Sequence, residues 1–466
     1  MKHKMRSLSS TAIIAIVVVV IIVAVAGIYL ASRGGAPSTT TPTTTTTQKT
    51  TSPTTTSPTT TATNTSAYPK QIYIGLVEPL TGSYAVFGQE AQQAAQLIVD
   101  IINNELGGIK SMGGAKLVLV TEDAGGAPET ARLAAQKLIS NYNVPIMLGA
   151  YVSRFTSAMA AVTEQNKVIL VTDALVDSLT QQGWQYIFRV APKASAHGKA
   201  AADFVLDMAK KTNTTIKTAV VLNEDSIFGT SVANGAVLEL VSNGVEIASH
   251  ITYPYDISDV TPIINQIKQL NADVLISVPY FNDGVLIAKA IKASGLKFAF
   301  IAGAGACGYT DPDSIKAAGD AVLYYTNTYS YNPARPTQWN QKVVSAFEQR
   351  YGKMPTEGAG IIFYSLMTVY EALEKAGKMF PNDPLSPDHL KAAFQSLDLN
   401  DSNSIAAQLY PSGHIKFDAS GDNLYPLTAI LQVQNVNGTL TPVVVWPEAQ
   451  PGFSPIFPRP GWTQTK

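Results

Sequence analysis

Aromatic and hydroxyl side chains stand at matching places in two stretches of this chain, and the pattern suits holding a small molecule. Phe87-Gly88 follows the first strand-like run of one stretch and opens a helical segment; Phe228-Gly229 does the same in the other. After the third runs come Tyr151-Val152-Ser153 and Tyr280-Phe281-Asn282. Open α/β sheets bind ligands outside the carboxyl ends of their strands. Rings repeated at those positions predict a cleft with an aromatic side chain on each wall. Rings at helix starts also serve as hydrophobic staples, but their recurrence across two stretches favours the cleft.

Groups for bond-making chemistry are missing. The five histidines, His3, His197, His250, His389 and His414, show no metal-ligand spacing. There is no nucleophile elbow, no phosphate loop ending in Lys-Ser/Thr and no paired-Cys motif. We expect a protein that is not an enzyme and that needs no metal or cofactor. Gly303-Ala304-Gly305-Ala306-Cys307-Gly308 does spell GxGxxG after a strand-like run. A dinucleotide fingerprint requires a helix to begin inside the motif and an acidic residue at the end of the next strand. Asp311-Pro312 interrupts at once, and Asp320 precedes the next predicted strand, 322–326. The glycines are expected to let this loop approach a ligand or a helix closely.

The elements that must position the rings follow from hydrophobic periodicity. Short apolar runs at 72–77, 117–121, 146–149 and 168–171 alternate with amphipathic helices at 90–105 and 128–140. The order restarts with strands at 218–222, 245–253, 274–278 and 298–301 and helices at 230–241, 260–270 and 284–294. Helices 337–351 and 358–376 follow, then short strands near 415–417, 427–433 and 443–446. Alternating strands and helices predict an α/β fold of two similar, doubly wound parallel-sheet lobes.

The N-terminus carries a different signal. Residues 12–31 are uncharged and apolar throughout, long enough to cross a bilayer as one helix. Lys2, Lys4 and Arg6 precede them and only Arg33 follows closely, which places residues 1–11 in the cytoplasm and the remainder outside the cell. A cleaved signal peptide is the alternative. Residues 32–68 are rich in Thr, Ser and Pro and predict a disordered stalk; extended at about 3.1 Å per residue, it would reach roughly 100 Å. With a net charge of −1 and no basic stripe, the chain offers nucleic acid no surface. The single Cys307 cannot form an intrachain disulfide.

The stretch 72–108, IYIGLVEPLTGSYAVFGQEAQQAAQLIVDIINNELGG, resembles the opening of the branched-chain amino-acid (Leu/Ile/Val) solute-binding proteins of ABC importers, the type I periplasmic binding proteins. Leu179-Thr180-Gln181-Gln182-Gly183, Phe188-Arg189, Gly295-Leu296-Lys297, and Phe417-Asp418 with Gly421-Asp422 extend the resemblance to about residue 446. It implies two lobes joined by a three-crossing hinge, with crossings near 189–192, 324–329 and 418–426. Lobe one would take 69–190 and 326–418, lobe two 191–325 and 419–447, with a Pro-rich tail at 448–466. By the same resemblance Ser153, with Thr156, takes the carboxylate-binding position, and Phe87, Phe228 and Tyr280 line the cleft, where the matching loops also put Tyr151. The family Thr falls on Leu175, with Asp173 two residues earlier, and the acid that pairs with the ligand ammonium falls on Gly305. The resemblance implies a small-molecule solute, an amino acid or a related carboxylate or amide, handed to permease subunits with cytoplasmic ATPases. A ligand sensor on the same fold is the alternative. The Thr-rich stalk has an archaeal look.

Overall fold

The computed structural model describes residues 68–463. The predicted cytoplasmic segment, membrane span and stalk lie outside the described residues, apart from Tyr68. Among the described residues no helix is long and apolar enough to cross a membrane.

Two sheets organise the chain. The first comprises β1 (Gln71–Glu78), β2 (Lys116–Asp123), β3 (Ile146–Gly149), β4 (Ile169–Thr172) and β5 (Ile187–Arg189), all parallel, in the order β2-β1-β3-β4-β5. The second contains β6 (Thr218–Glu224), β7 (Glu246–Tyr253), β8 (Val274–Val278), β9 (Phe300–Gly303) and β10 (Thr326–Tyr329) in the order β7-β6-β8-β9-β10. The second order repeats the first, so the two lobes share one topology. In both, the strand order reverses between the first and third strands, the switch point where such sheets leave a crevice. A small ladder joins β11 (Leu399–Asn400) to β12 (His414–Ile415).

Strands covered by helices on both faces read as unbroken apolar runs. Every residue of β3 (IMLG) and β8 (VLISV) is buried. Helix Ala85–Asp100 lays Ala91, Ala94, Ala95 and Ile98 against the first sheet; three alanines allow a close approach. Helix Glu357–Met379 packs beside it and is buried along most of its length.

The hinge is stapled by a buried ion pair. Arg189 ends β5, and its guanidinium meets the Asp422 carboxylate at 2.7 Å while donating to the carbonyls of Leu175 and Val176 and to Thr180 Oγ1. Arg189 N–H also donates to Gly421 O. The first and third crossings therefore run side by side. The middle one is held by His197, whose ring lies between Thr328 Oγ1 at 2.8 Å and Ser330 Oγ at 2.9 Å. Burial lowers the His197 pKa to about 3, so the imidazole is neutral.

Several expectations change. The predicted strand at 322–326 is instead a short 3-10 turn, Gly319–Val322, followed by β10. Because β10 pairs with β9, residues 326–329 belong with the second sheet, and the middle crossing follows Tyr329. The second sheet is also not purely parallel. The hairpin β13 (Ala429–Val436) and β14 (Thr439–Trp446) adds antiparallel to β10. The Pro-rich tail packs back on this lobe through 463. Phe457 meets Phe300 at 5.2 Å, and Arg459 N–H donates to Ala299 O.

Candidate functional site

The cleft is built where the C-terminal ends of both sets of strands meet. Helix Ala85–Asp100 supplies Phe87, and the turn after β3 supplies Tyr151; their rings stack at 4.8 Å and 13°. Helix Ile227–Ser242, capped by Ser226 Oγ accepting from Phe228 N and Gly229 N, supplies Phe228 from the other lobe. The turn after β8 supplies Tyr280. The Tyr280 ring lies 5.6 Å from Phe228, 6.2 Å from Phe87 and 5.2 Å from Tyr84. Four of the sequence-derived candidates, Phe87, Tyr151, Phe228 and Tyr280, thus form one aromatic cluster that joins the lobes. Tyr151 has φ 46°, a left-handed conformation costly for a bulky residue and typical of functional sites.

The hydroxyl candidates divide. Thr156 Oγ1 accepts from Ala150 N at 2.9 Å and donates to Val152 O, so it shapes the turn that presents Tyr151. Ser153 begins helix Ser153–Gln165 but does not cap it. Its Oγ accepts from Val176 N at 3.3 Å, and its own O–H remains free to donate.

Gly305 has φ +71°, and a Cβ built there would lie 2.8 Å from Phe228 Cζ. An acidic side chain at 305 would displace that ring. The GxGxxG loop carries no helix within it: the next helix, Pro312–Ala318, starts beyond the motif and is capped by Asp311. Its glycines serve close packing, since a Cβ on Gly308 would meet Pro279 O at 2.4 Å.

Asp173 is buried after β4, with Oδ1 accepting from Tyr151 N at 2.7 Å. Its partner was not among the sequence candidates. Glu78, the last residue of β1, is fully buried beside Asp173. Burial, then the neighbouring Asp173, pushes the Glu78 carboxyl well above its ordinary pKa. Among the described residues no donor reaches Glu78 Oε1, Glu78 Oε2 or Asp173 Oδ2. A Glu closing an otherwise apolar strand at the switch point was the available signal. Arg154 was also missed. Its guanidinium lies 5.3 Å from the Tyr84 ring centre and 4.3 Å from that of Tyr255 in the opposite lobe. It lines a cavity of about 360 Å³ whose walls come from Ser83, Tyr84 and Gly126 on one side and from Tyr255, Tyr280 and Asn282 on the other.

Two lobes of one topology, joined by three crossings and sharing a cleft lined with rings, have the architecture of a two-lobed solute-binding protein. The comparisons agree. The periplasmic binding protein family model matches residues 71–435, and the chain belongs to that family. A Leu/Ile/Val-binding protein homolog from Brucella abortus is 28% identical over 389 residues, covering 81% of this chain and 91% of the relative. A leucine-binding protein from Thermotoga maritima superposes with a TM-score of 0.68 at 22% identity, covering 81% of this chain and 99% of that one. A solute-binding protein from Rhodopseudomonas palustris, in complex with 3,4-dihydroxybenzoic acid, superposes equally well at 23% identity, covering 84% and 99%. These likenesses show the branched-chain amino-acid type of the type I fold.

Proposed function

We propose that this protein captures a small solute, an amino acid or a related carboxylate or amide, by closing its lobes, and passes it to an ABC importer. The observation that carries the reading is the aromatic cluster drawn from both lobes, beside a cavity lined by both. Hinge closure is driven by contacts that exist only in the closed state, and the Tyr280 contacts with Tyr84 and Phe87 join the two lobes. The relatives' names, which include leucine binding and an aromatic-acid complex, support ligands of this size. In this reading the free O–H of Ser153 donates to a ligand carboxylate and Arg154 supplies positive charge at the cleft rim. The apolar run at 12–31 and the Thr-rich segment after it support tethering outside the cell membrane. Thermal-shift screening of the full-length chain against amino acids, amides and small carboxylates tests the proposal: a ligand that binds only the native state raises Tm by mass action. No rise with any compound, together with no ligand-induced compaction in small-angle scattering, would remove it.

A further inference from the structure

Four of the six arginines among the described residues pair with a carboxylate: Arg132 with Glu129, Arg189 with Asp422, Arg335 with Asp401 and Arg350 with Asp100. Arg154 and Arg459 rest on rings instead. Arg459 stays within the second lobe, over Tyr325 and donating to Leu323 O. Arg154 differs because its rings come from both lobes. It stands in the first turn of helix Ser153–Gln165, with its guanidinium 5.3 Å from the Tyr84 ring centre and 5.0 Å from that of Phe155, both in the first lobe. Its Nη2 donates to Tyr84 Oη at 3.3 Å. The shortest of the three approaches, 4.3 Å, is to Tyr255 of the second lobe.

The two sides of this contact are prepared differently. Tyr84 and Phe155 are buried and meet edge to face at 6.0 Å, so they back the guanidinium from its own lobe. The Tyr255 ring is 51% exposed, yet its backbone is pinned. Tyr255 N donates to Asp225 Oδ1 at 2.9 Å, and Asp225 N donates to Tyr253 O at 2.8 Å. A ring left largely in solvent on a fixed backbone adds little to the core of its lobe. It does offer a face to a planar guanidinium, which stacks well on aromatic rings. The attraction strengthens where water is excluded. Arg154 and Tyr255 stand on opposite walls of the cavity of about 360 Å³ between the lobes.

We propose that Arg154 and Tyr255 form a latch across this cavity, and that the latch keeps a share of the molecules closed before any solute enters. Opening carries Tyr255 away with the second lobe, while Tyr84 and Phe155 hold the guanidinium in place for the next closure. A cation–ring contact shifts an open–closed equilibrium by roughly 2- to 30-fold. That is enough to bias the lobes together and too little to trap what they hold. Arg154 and Tyr255 act here as positioning residues, whatever the solute is.

The test measures the distance between the lobes in the full-length chain with no compound added, after dialysis from mild denaturant to strip any carried-over solute. Spin labels go on Leu133→Cys, in helix Pro128–Tyr142 of the first lobe, and Leu238→Cys, in helix Ile227–Ser242 of the second; both side chains are at least half exposed, and the buried Cys307 takes no label. Pulsed electron–electron resonance should show a short distance that matches this structure beside a longer, open one. Arg154→Met, which keeps the stem and removes the charge, and Tyr255→Leu should each lower the short-to-long ratio roughly 2- to 30-fold. Tyr255→Phe, which keeps the ring face, should hold the wild-type ratio. The double variant Arg154→Met with Tyr255→Leu should fall no further than the lower single one, as for two halves of one contact. No short population in the wild type overturns the latch. So does a ratio that neither Arg154→Met nor Tyr255→Leu changes, a loss in Tyr255→Phe as large as in Tyr255→Leu, or losses that simply add in the double variant. Because no solute is used, each of these results leaves the solute-binding reading to its own test.

Discussion

Glu78 and Glu224 occupy the same place in the two lobes, each the last residue of the first strand of its sheet. Their surroundings differ. Glu224 accepts from Ser226 N at 2.7 Å and from Ser226 Oγ at 2.6 Å, and so braces the start of the helix that carries Phe228. Both carboxyl oxygens of Glu78 lack a donor among the described residues. The second-lobe wall is therefore internally complete, and the first-lobe wall is left short of donors. Asp283, in the helix after β8, is likewise closed off by Tyr253 Oη at 2.5 Å. Repeating a topology thus does not repeat a role. In the proposed reading the first lobe takes the solute and the rings of the second close upon it.

The largest expected effect that would break this division comes from the rings. Tyr280→Ala removes the contacts to Tyr84, Phe87 and Phe228, and Phe228→Ala removes the second-lobe partner of Tyr280. Each should weaken ligand binding by about 2 kcal/mol or more, the scale of a central aromatic hot spot, and lower ligand-induced compaction in small-angle scattering. Normal affinity and compaction in both variants would assign the rings to packing alone.

Ser153→Ala tests the capturing wall. Losing a hydrogen bond to a charged carboxylate should cost about 1.5–3 kcal/mol of affinity. The change also strands the buried Val176 N–H, so Tm should fall as well. A lower Tm with intact affinity would limit Ser153 to bracing the turn after β4.

The complete wall has a pH signature. Burial raises the Glu224 pKa to about 7, against the pull of its Ser226 bonds. A carboxyl with a raised folded-state pKa contributes stability that is fully present below its unfolded value and is lost as pH rises through the folded one. Wild type should therefore lose stability relative to Glu224→Gln between about pH 4.5 and 7. Taking the difference between the two proteins cancels the opposite contribution of His197. A flat difference across that window would show that Glu224 is not buried as described.

The smallest effect concerns the contact between the lobes outside the rings. Ser231 Oγ, on helix Ile227–Ser242, donates to Asp177 Oδ1 at 2.7 Å, while Ser195 also serves that carboxylate from next to the hinge. Ser231→Ala should reduce affinity by about 0.5–1.5 kcal/mol through a less populated closed state, with Tm of the ligand-free protein nearly unchanged. A larger loss of Tm than of affinity would make the bond a fold constraint.

Much of this was legible in residue order. The apolar runs at 72–77 and 274–278 cannot be solvent-facing, and their alternation with helical periodicity implies a parallel sheet. The ring positions could be set out because Phe-Gly recurs after the first strand of each stretch. The second sheet was read less well at its edge. The run at 322–326 has strand composition, yet Gly319–Val322 turns and β10 begins at Thr326, where pairing with β9 and β13 decides the matter. Propensity yields to such tertiary pairing. The tail after 447 reads as a linker because of its prolines, but Phe457 finds Phe300 and the segment is held.

At the cleft the division is sharper. Amino-acid order alone established two like lobes, a family, and the aromatic residues that face each other, because periodicity and motif spacing are local properties. It placed Asp173 near the site but left Glu78 unremarked, and it counted Thr156 as a ligand group. Whether a hydroxyl or carboxyl is free depends on which donors the folded chain brings within about 3 Å. Thr156 is occupied by Ala150 N and Val152 O, Ser153 accepts from Val176 N, and Glu78 meets no donor among the described residues. Those partners lie on different strands and loops, so only the assembled cleft could sort the satisfied groups from the unsatisfied ones.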